Sequence, residues 1–146
     1  MTLAKQQVSV ILDTTITEDG HTQKESVRVM GEVTGLGMKR MIKFTEINDQ
    51  NEAIDTVMML GDDKVTLKRT GAINMSQQFI ESKRTESHYH HPLMQFRMET
   101  YTDTINYRYK EKDATLSLAM RYRTAIAGEG ERRHTLNLQI KGESDV

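Results

Sequence analysis

The stretch SHYHHPLMQF, Ser87 to Phe96, holds three of the five histidines and the single proline. In a β-strand, His88 and His90 share one face and His91 takes the other. Two imidazoles at that spacing can chelate a metal, but a stable site needs a third or fourth ligand and an ordered second shell. Glu86 is the one nearby carboxylate in phase, and His134 would have to come from another strand. The competing interpretation is a polar strand end stopped by Pro92, whose missing N–H interrupts a hydrogen-bond ladder. The usual zinc spacings are absent. We take the strand end and expect neither metal nor cofactor. A histidine pair could still make a pH-sensitive surface, since imidazole as a side chain titrates near neutrality.

Arg69 is the second chemical candidate. It continues the phase of Val65 and Leu67, which points it inward near one end of a barrel. A buried guanidinium requires a carboxylate or an anionic ligand. The plainer alternative is a pairing with a glutamate, or a side chain that snorkels out to water. Gln77 lies in phase between Met75 and Phe79, and Tyr122 ends another inward series. Apolar walls with a few polar groups are what a small-molecule site looks like.

Other chemistry finds no support. There is no G-x-S-x-G elbow. Gly35-Leu36-Gly37 lacks the third glycine and the helix of a phosphate loop, so it reads as a turn. Asp62-Asp63 also sits in a turn and is expected to be solvated. Without cysteine there is no disulfide, thiolate metal site or thiol nucleophile. Enzymatic activity is therefore not expected. Basic residues gather at Lys39, Arg40 and Lys43, and again at Arg108, Lys110, Arg121 and Arg123, with Tyr107 and Tyr109 beside them. Arginine with aromatics can bind single strands, but a net charge of -1 provides no global field. A solvated outer face is the expectation, and nucleic acid is not an expected partner.

The elements that position these groups follow from a period of two. Leu116, Leu118, Met120 and Tyr122 alternate with polar or small residues, as do Leu136, Leu138 and Ile140. Val27, Val29 and Val33 repeat the pattern, with Gly31 in an apolar slot, where glycine often marks a bulge or bend. Val8, Val10 and Leu12 fall in a first strand of about Gln7 to Ile16. Glu18-Asp19-Gly20 signals a hairpin. Further breaks fall at Gly35 to Gly37, Gly61 to Asp63, Gly71, Lys110 to Asp113 and Ala127 to Glu131. Asp49 to Glu52 could open a helix. The alternative, a strand from Ile54 to Leu60, is favoured by Thr56 and Val57.

These 146 residues suit one domain, 1–146, with the last few as a tail. Nine or ten short one-faced strands predict an antiparallel barrel or sandwich. Closing the meander removes both edges and favours the barrel. No signal peptide or apolar span is evident at the N-terminus, which with the lack of cysteine gives the expectation of a cytoplasmic protein with no membrane partner. Ten methionines and no tryptophan give an adaptable interior, either as simple core filling or as a pliable pocket.

From Gly61 the chain reads GDDKVTLKRTGAINMSQQFIESKRTESHYHHP. With its Gly61 to Leu67 run, Arg69, Gly71, Met75, Phe79, Tyr89 and Pro92, it resembles the YwiB-like family of uncharacterised bacterial proteins. The C-terminal RRHTLNLQI and the N-terminal strand–turn–strand fit in order and spacing. The resemblance implies one closed, up-and-down, calycin- or lipocalin-like β-barrel from Gram-positive-type bacteria, and brings no assigned activity. Leu93-Met94, where family members often have Tyr-Gly, and MKRMIKF, where they are often rich in tyrosine, depart from the family pattern and point to an altered pocket.

The expected function is a barrel that binds a small apolar or amphipathic ligand in its interior. Arg69 would orient the polar end and Gln77 and Tyr122 would lend hydrogen bonds. Met75, Phe79, Met98, Leu118 and Met120 would form the walls. The alternative is a homo-oligomer or protein-interaction barrel with a filled interior.

Overall fold

The computed structural model describes residues 5–36, 38–91, 93–110, 115–126 and 129–142. Pro92, Gly37, Ala127-Gly128 and most of the charged loop after Lys110, all singled out above, lie outside the described residues. Ten strands follow one another as β1 (Lys5–Glu18), β2 (His21–Leu36), β3 (Lys39–Ile47), β4 (Ala53–Leu60), β5 (Lys64–Gly71), β6 (Asn74–Ile80), β7 (Arg84–His91), β8 (Met94–Lys110), β9 (Thr115–Ile126) and β10 (Arg132–Gly142). Each pairs antiparallel with its chain neighbours, and β1 pairs with β10, so the meander closes into a barrel without edges.

Alternation decides which face looks in. Val8, Val10, Leu12, Leu116, Leu118, Met120, Leu136, Leu138 and Ile140 are buried, and the residues between them are exposed or half-buried. Apolar inside and polar outside is the reverse of a lipid-facing barrel wall. The first hairpin turns on two residues, Asp19 at φ 49° and Gly20 at φ 79°. Positive φ at both positions matches the right-handed twist of the flanking strands. The segment 48–52 forms no helix. The Asn48 side-chain oxygen accepts from the backbone N–H groups of Gln50 and Glu52, and β4 follows at once.

Gly31 does not mark a bulge. Its register runs unbroken against Val8 on β1 and Phe44 on β3. It marks close approach instead. A Cβ there would meet the Lys43 carbonyl oxygen at 2.6 Å and both Phe44 Cβ and Val10 Cγ2 at 3.1 Å. Because the nearest atom is ladder backbone, the clash cannot be relieved by a rotamer change. We expect Gly31→Ala to lose about 1–3 kcal/mol. A thermal melt within a degree of wild type would refute this packing account.

The register shift in the wall falls in β8, where Thr102 pairs with Tyr122 and Thr104 with Arg121. Asp103 is the extra residue of this bulge. Its carboxylate accepts two hydrogen bonds from Arg123, at 3.0 and 3.3 Å.

Candidate functional site

The inward faces of the barrel are not uniformly apolar. Toward the end that carries the β1–β2, β3–β4 and β5–β6 turns, polar side chains replace the aliphatic ones. Glu46 near the end of β3, Thr56 on β4, Arg69 near the end of β5, Gln77 on β6, Thr100 and Thr102 on β8, and Tyr122, Thr124 and His134 on β9 and β10 all lie in the inward phase. Below them pack the aliphatic side chains of the core, with Met58, Leu60, Val65 and Leu138 fully buried.

Register explains how residues far apart in sequence meet. Arg69 is the cross-strand partner of Thr56 on one side and of Met75 on the other. Its guanidinium lies 3.5 Å from the Glu46 carboxylate, and both side chains are mostly buried. Gln77 donates to the Thr100 hydroxyl at 3.4 Å. Tyr122 pairs across the ladder with Thr102 and with His134. Its ring meets Phe79 edge-on at 4.7 Å and stacks on His134 at 4.6 Å. The Thr124 hydroxyl is 2.7 Å from His134 Nε2.

Electrostatics keep this layer close to neutral. Burial pushes the Tyr122 phenol up to about 12, with the charge of Arg69 opposing the rise. Burial and nearby Arg132 hold His134 down to about 4. Near pH 7 both groups are therefore uncharged, and the Arg69 cation faces the Glu46 anion.

Three polar atoms in the layer have no hydrogen-bond partner among the described residues. They are Thr56 Oγ1, Arg69 Nε and Thr102 Oγ1. Thr56 is 1 % and Thr102 0 % exposed. Leaving a buried donor or acceptor unpaired costs roughly 1–3 kcal/mol per group, so native proteins seldom keep three unless something else completes them.

Of the eight residues the sequence pointed to, Arg69, Gln77, Tyr122 and Phe79 come together in or against this layer. Met75 and Met98 are half-buried above it, toward the turn-bearing end. Met120 and Leu118 lie deeper. Leu118 faces Leu138 in the filled core, four residues or about 14 Å along β9 from Tyr122. Glu46, Thr56, Thr102 and His134 were missed as site residues. Their inward phase was readable, but their meeting depends on a stagger between strands that no local pattern encodes.

The wall beside Gln77 is loosely laddered. β6 and β7 are paired only over Asn74 to Ser76 with His88 to His90. Beyond that, the Thr85 hydroxyl donates to the Gln78 carbonyl at 2.5 Å. The histidines that opened the sequence analysis are on the other side of this wall. His88 and His90 point outward and are exposed, opposite Arg97 and Gln95. His134 faces inward and cannot join them. Among the described residues no group of three or more His, Asp and Glu side chains is arranged to hold a metal.

The fold and its interior thus define a closed ten-stranded antiparallel barrel with a polar layer near one end. The chain belongs to the DUF1934 family, a domain of unknown function whose profile matches residues 10–138. It is 23% identical over 140 residues to the uncharacterized beta-barrel protein YwiB of Bacillus subtilis (strain 168), covering 94% of this chain and 96% of that protein. The crystal structure of that YwiB protein superposes with a TM-score of 0.86 at 17% identity, over 97% of this chain and 96% of the other. These likenesses establish the barrel and the family.

Proposed function

We propose that the protein is a non-enzymatic barrel that binds a small amphipathic molecule, with its oxygen-bearing head in the polar layer and its apolar part toward Met75 and Met98. The observation that carries this reading is the set of three unpaired buried groups, Thr56 Oγ1, Arg69 Nε and Thr102 Oγ1. A head with one or two oxygens would accept from Arg69 Nε and exchange hydrogen bonds with the two hydroxyls. Because Glu46 already neutralises the guanidinium, the head need not carry a full charge. Methionines at the turn-bearing end suit ligands of variable shape. The lack of cysteine fits residence in the cytoplasm.

The test separates a binding role from a structural one. Thr56→Val and Thr102→Val each remove an unpaired hydroxyl at nearly constant volume. The ligand-free protein is expected to gain about 1 kcal/mol from each change. Ligand retention should fall. In native mass spectrometry under gentle activation, wild type is expected to carry a discrete small-molecule adduct that leaves on harsh activation. The adduct should be lost from Arg69→Met and reduced in both valine variants. A bare chain at every activation, with destabilised valine variants, would defeat the proposal. A bare oligomer would favour a protein-interaction barrel instead.

A further inference from the structure

The outer wall carries a second feature, independent of the interior site. Three hollows in a row form a furrow along the outward face of β9, between β8 on one side and β10 and β1 on the other. Its wider end, about 600 Å³, is lined by Thr17, Asp103, Thr104, Arg121, Arg123 and Arg133, among others. It shares Thr104, Arg121 and Thr135 with a middle section of about 360 Å³, lined also by Asn106, Ala119 and Asn137. The far section, about 380 Å³, is flanked by Arg108, Lys110 and Lys141. The floor is made of short side chains because Ala119 and Ser117 face Asn106 and Arg108 across one ladder and Asn137 and Gln139 across the other.

The charge in this furrow is one-sided. Arg133 stands directly opposite Arg123, and like charges in that position are destabilising. Arg123 is bound to Asp103 at 3.0 Å and approaches Glu131 at 3.8 Å. Arg121 and Arg133 are exposed and have no ionic partner among the described residues. Four residues along β9 from Arg121, about 14 Å away, Ser117 faces Arg108. The net charge of -1 conceals this. The fold gathers six cations from three strands around one furrow, and the acidic residues lining it reduce to Asp103, already held by Arg123.

We propose that this furrow binds single-stranded nucleic acid through its phosphates. Arginine forks match phosphate oxygens. The hydroxyl and amide side chains of the floor can donate to further phosphate or sugar oxygens. A closed barrel offers no free edge to which a peptide could add as a strand, so an acidic protein segment lacks its usual anchor here. Of the tyrosines next to these cations in sequence, Tyr122 is among the residues lining the wider end, whereas Tyr107 and Tyr109 are not in the furrow. Tyr107 and Tyr109 pack from within against the barrel core, and Arg40 lies 4.2 Å over the Tyr109 ring. With Tyr107 and Tyr109 turned inward and the Tyr101 ring already covered by the Arg123 guanidinium at 4.6 Å, binding rests on phosphates, is indifferent to base identity and is sensitive to salt.

The probe is a fluorescently labelled twelve-nucleotide oligothymidylate, followed by anisotropy with the full chain. At low salt we expect saturable binding with a log–log salt slope of about −3, as for roughly four phosphate contacts to a single strand. The double variant Arg121→Ser/Arg133→Ser should weaken binding at least tenfold, and Arg108→Ser/Lys141→Ser should lower the slope. Lys24→Ser/Arg28→Ser, on the exposed outer face of β2, removes the same charge and should change affinity less than threefold. All six positions are exposed, so the fold is not at risk. Equal losses in the furrow and control variants would reduce the effect to general electrostatics and overturn the proposal. Absence of binding, or equally tight binding of polyglutamate of matched charge, would overturn it as well.

Discussion

Replacing Phe79 by alanine is expected to remove about 3–5 kcal/mol of folding stability, the largest effect of any single substitution considered. Phe79 is fully buried and pairs across the ladder with Val65. Its ring sits 4.7 Å from Tyr122 at an interplanar angle of 60°, an edge-on geometry that adds to simple burial. Tyr122 in turn stacks on His134. Phe79 therefore supports a row of three rings at the boundary between the apolar core and the polar layer. Alanine would leave a cavity beside Tyr122, in a strand held by its ladder to β5. Phe79→Leu keeps most of the volume and should cost less than half as much. Urea unfolding of both variants checks this, and a loss under about 1 kcal/mol for Phe79→Ala would show that the ring does not bear on the core as described.

The second large effect is with pH. His134 has its pKa lowered to about 4 in the folded protein by burial and by Arg132, whereas an unfolded histidine titrates near 6.5. Above about pH 6.5 the imidazole is neutral in both states and the full stability is present. As pH falls from 6.5 toward 4, the unfolded chain takes up a proton that the folded protein refuses, so stability declines. Below the folded pKa both states are protonated and the loss levels off. The group is not fully buried, so the size is on the order of 2–3 kcal/mol. Other groups titrate in this range, and the variant His134→Gln isolates the contribution. Gln keeps a hydrogen-bonding partner for the Thr124 hydroxyl, which is 2.7 Å from His134 Nε2, but carries no proton to titrate. Unfolding midpoints at pH 7.5, 5.5 and 4.5 should show wild type losing ground to the variant on acidification. A constant difference across that range would refute the assignment.

Both predictions depend on contacts that differ in how far the sequence discloses them. The inward phase of Phe79, Gln77, Tyr122 and Arg69 follows from a side-chain period of two, and any strand containing them puts them on one face. The first hairpin is equally local, because Asp19 and Gly20 supply the two positive φ angles that its short turn requires. Nine or ten strands in simple succession also follow from turn signals and short connections. The choice between helix and strand after Asp49 was less local. Ladders from β3 and β5 on either side decide it for β4, and no helix could satisfy both.

The site itself was half legible. The strand phase marks Arg69 as an inward cation in need of a carboxylate or an anionic ligand, and the structure sets Glu46 beside it. Nothing in the sequence selects Glu46 over other glutamates, because the choice follows from how far β3 and β5 are staggered across β4. The same holds for Thr56 and Thr102, ordinary strand threonines until closure buries them beside Arg69 and Tyr122 without partners. Gly31 was expected to bend its strand and instead admits Phe44 and the β3 backbone. The bulge at Asp103 had no glycine or proline to announce it.

By itself, then, the sequence determined the strands, their faces and the chain of hairpins, because alternation and turn chemistry act between residues close along the chain. Tertiary structure alone decided which polar groups share a layer inside the barrel and which cations share a furrow outside it. Those outcomes depend on register and strand stagger summed around a closed sheet, a non-local quantity that becomes definite only when β1 meets β10.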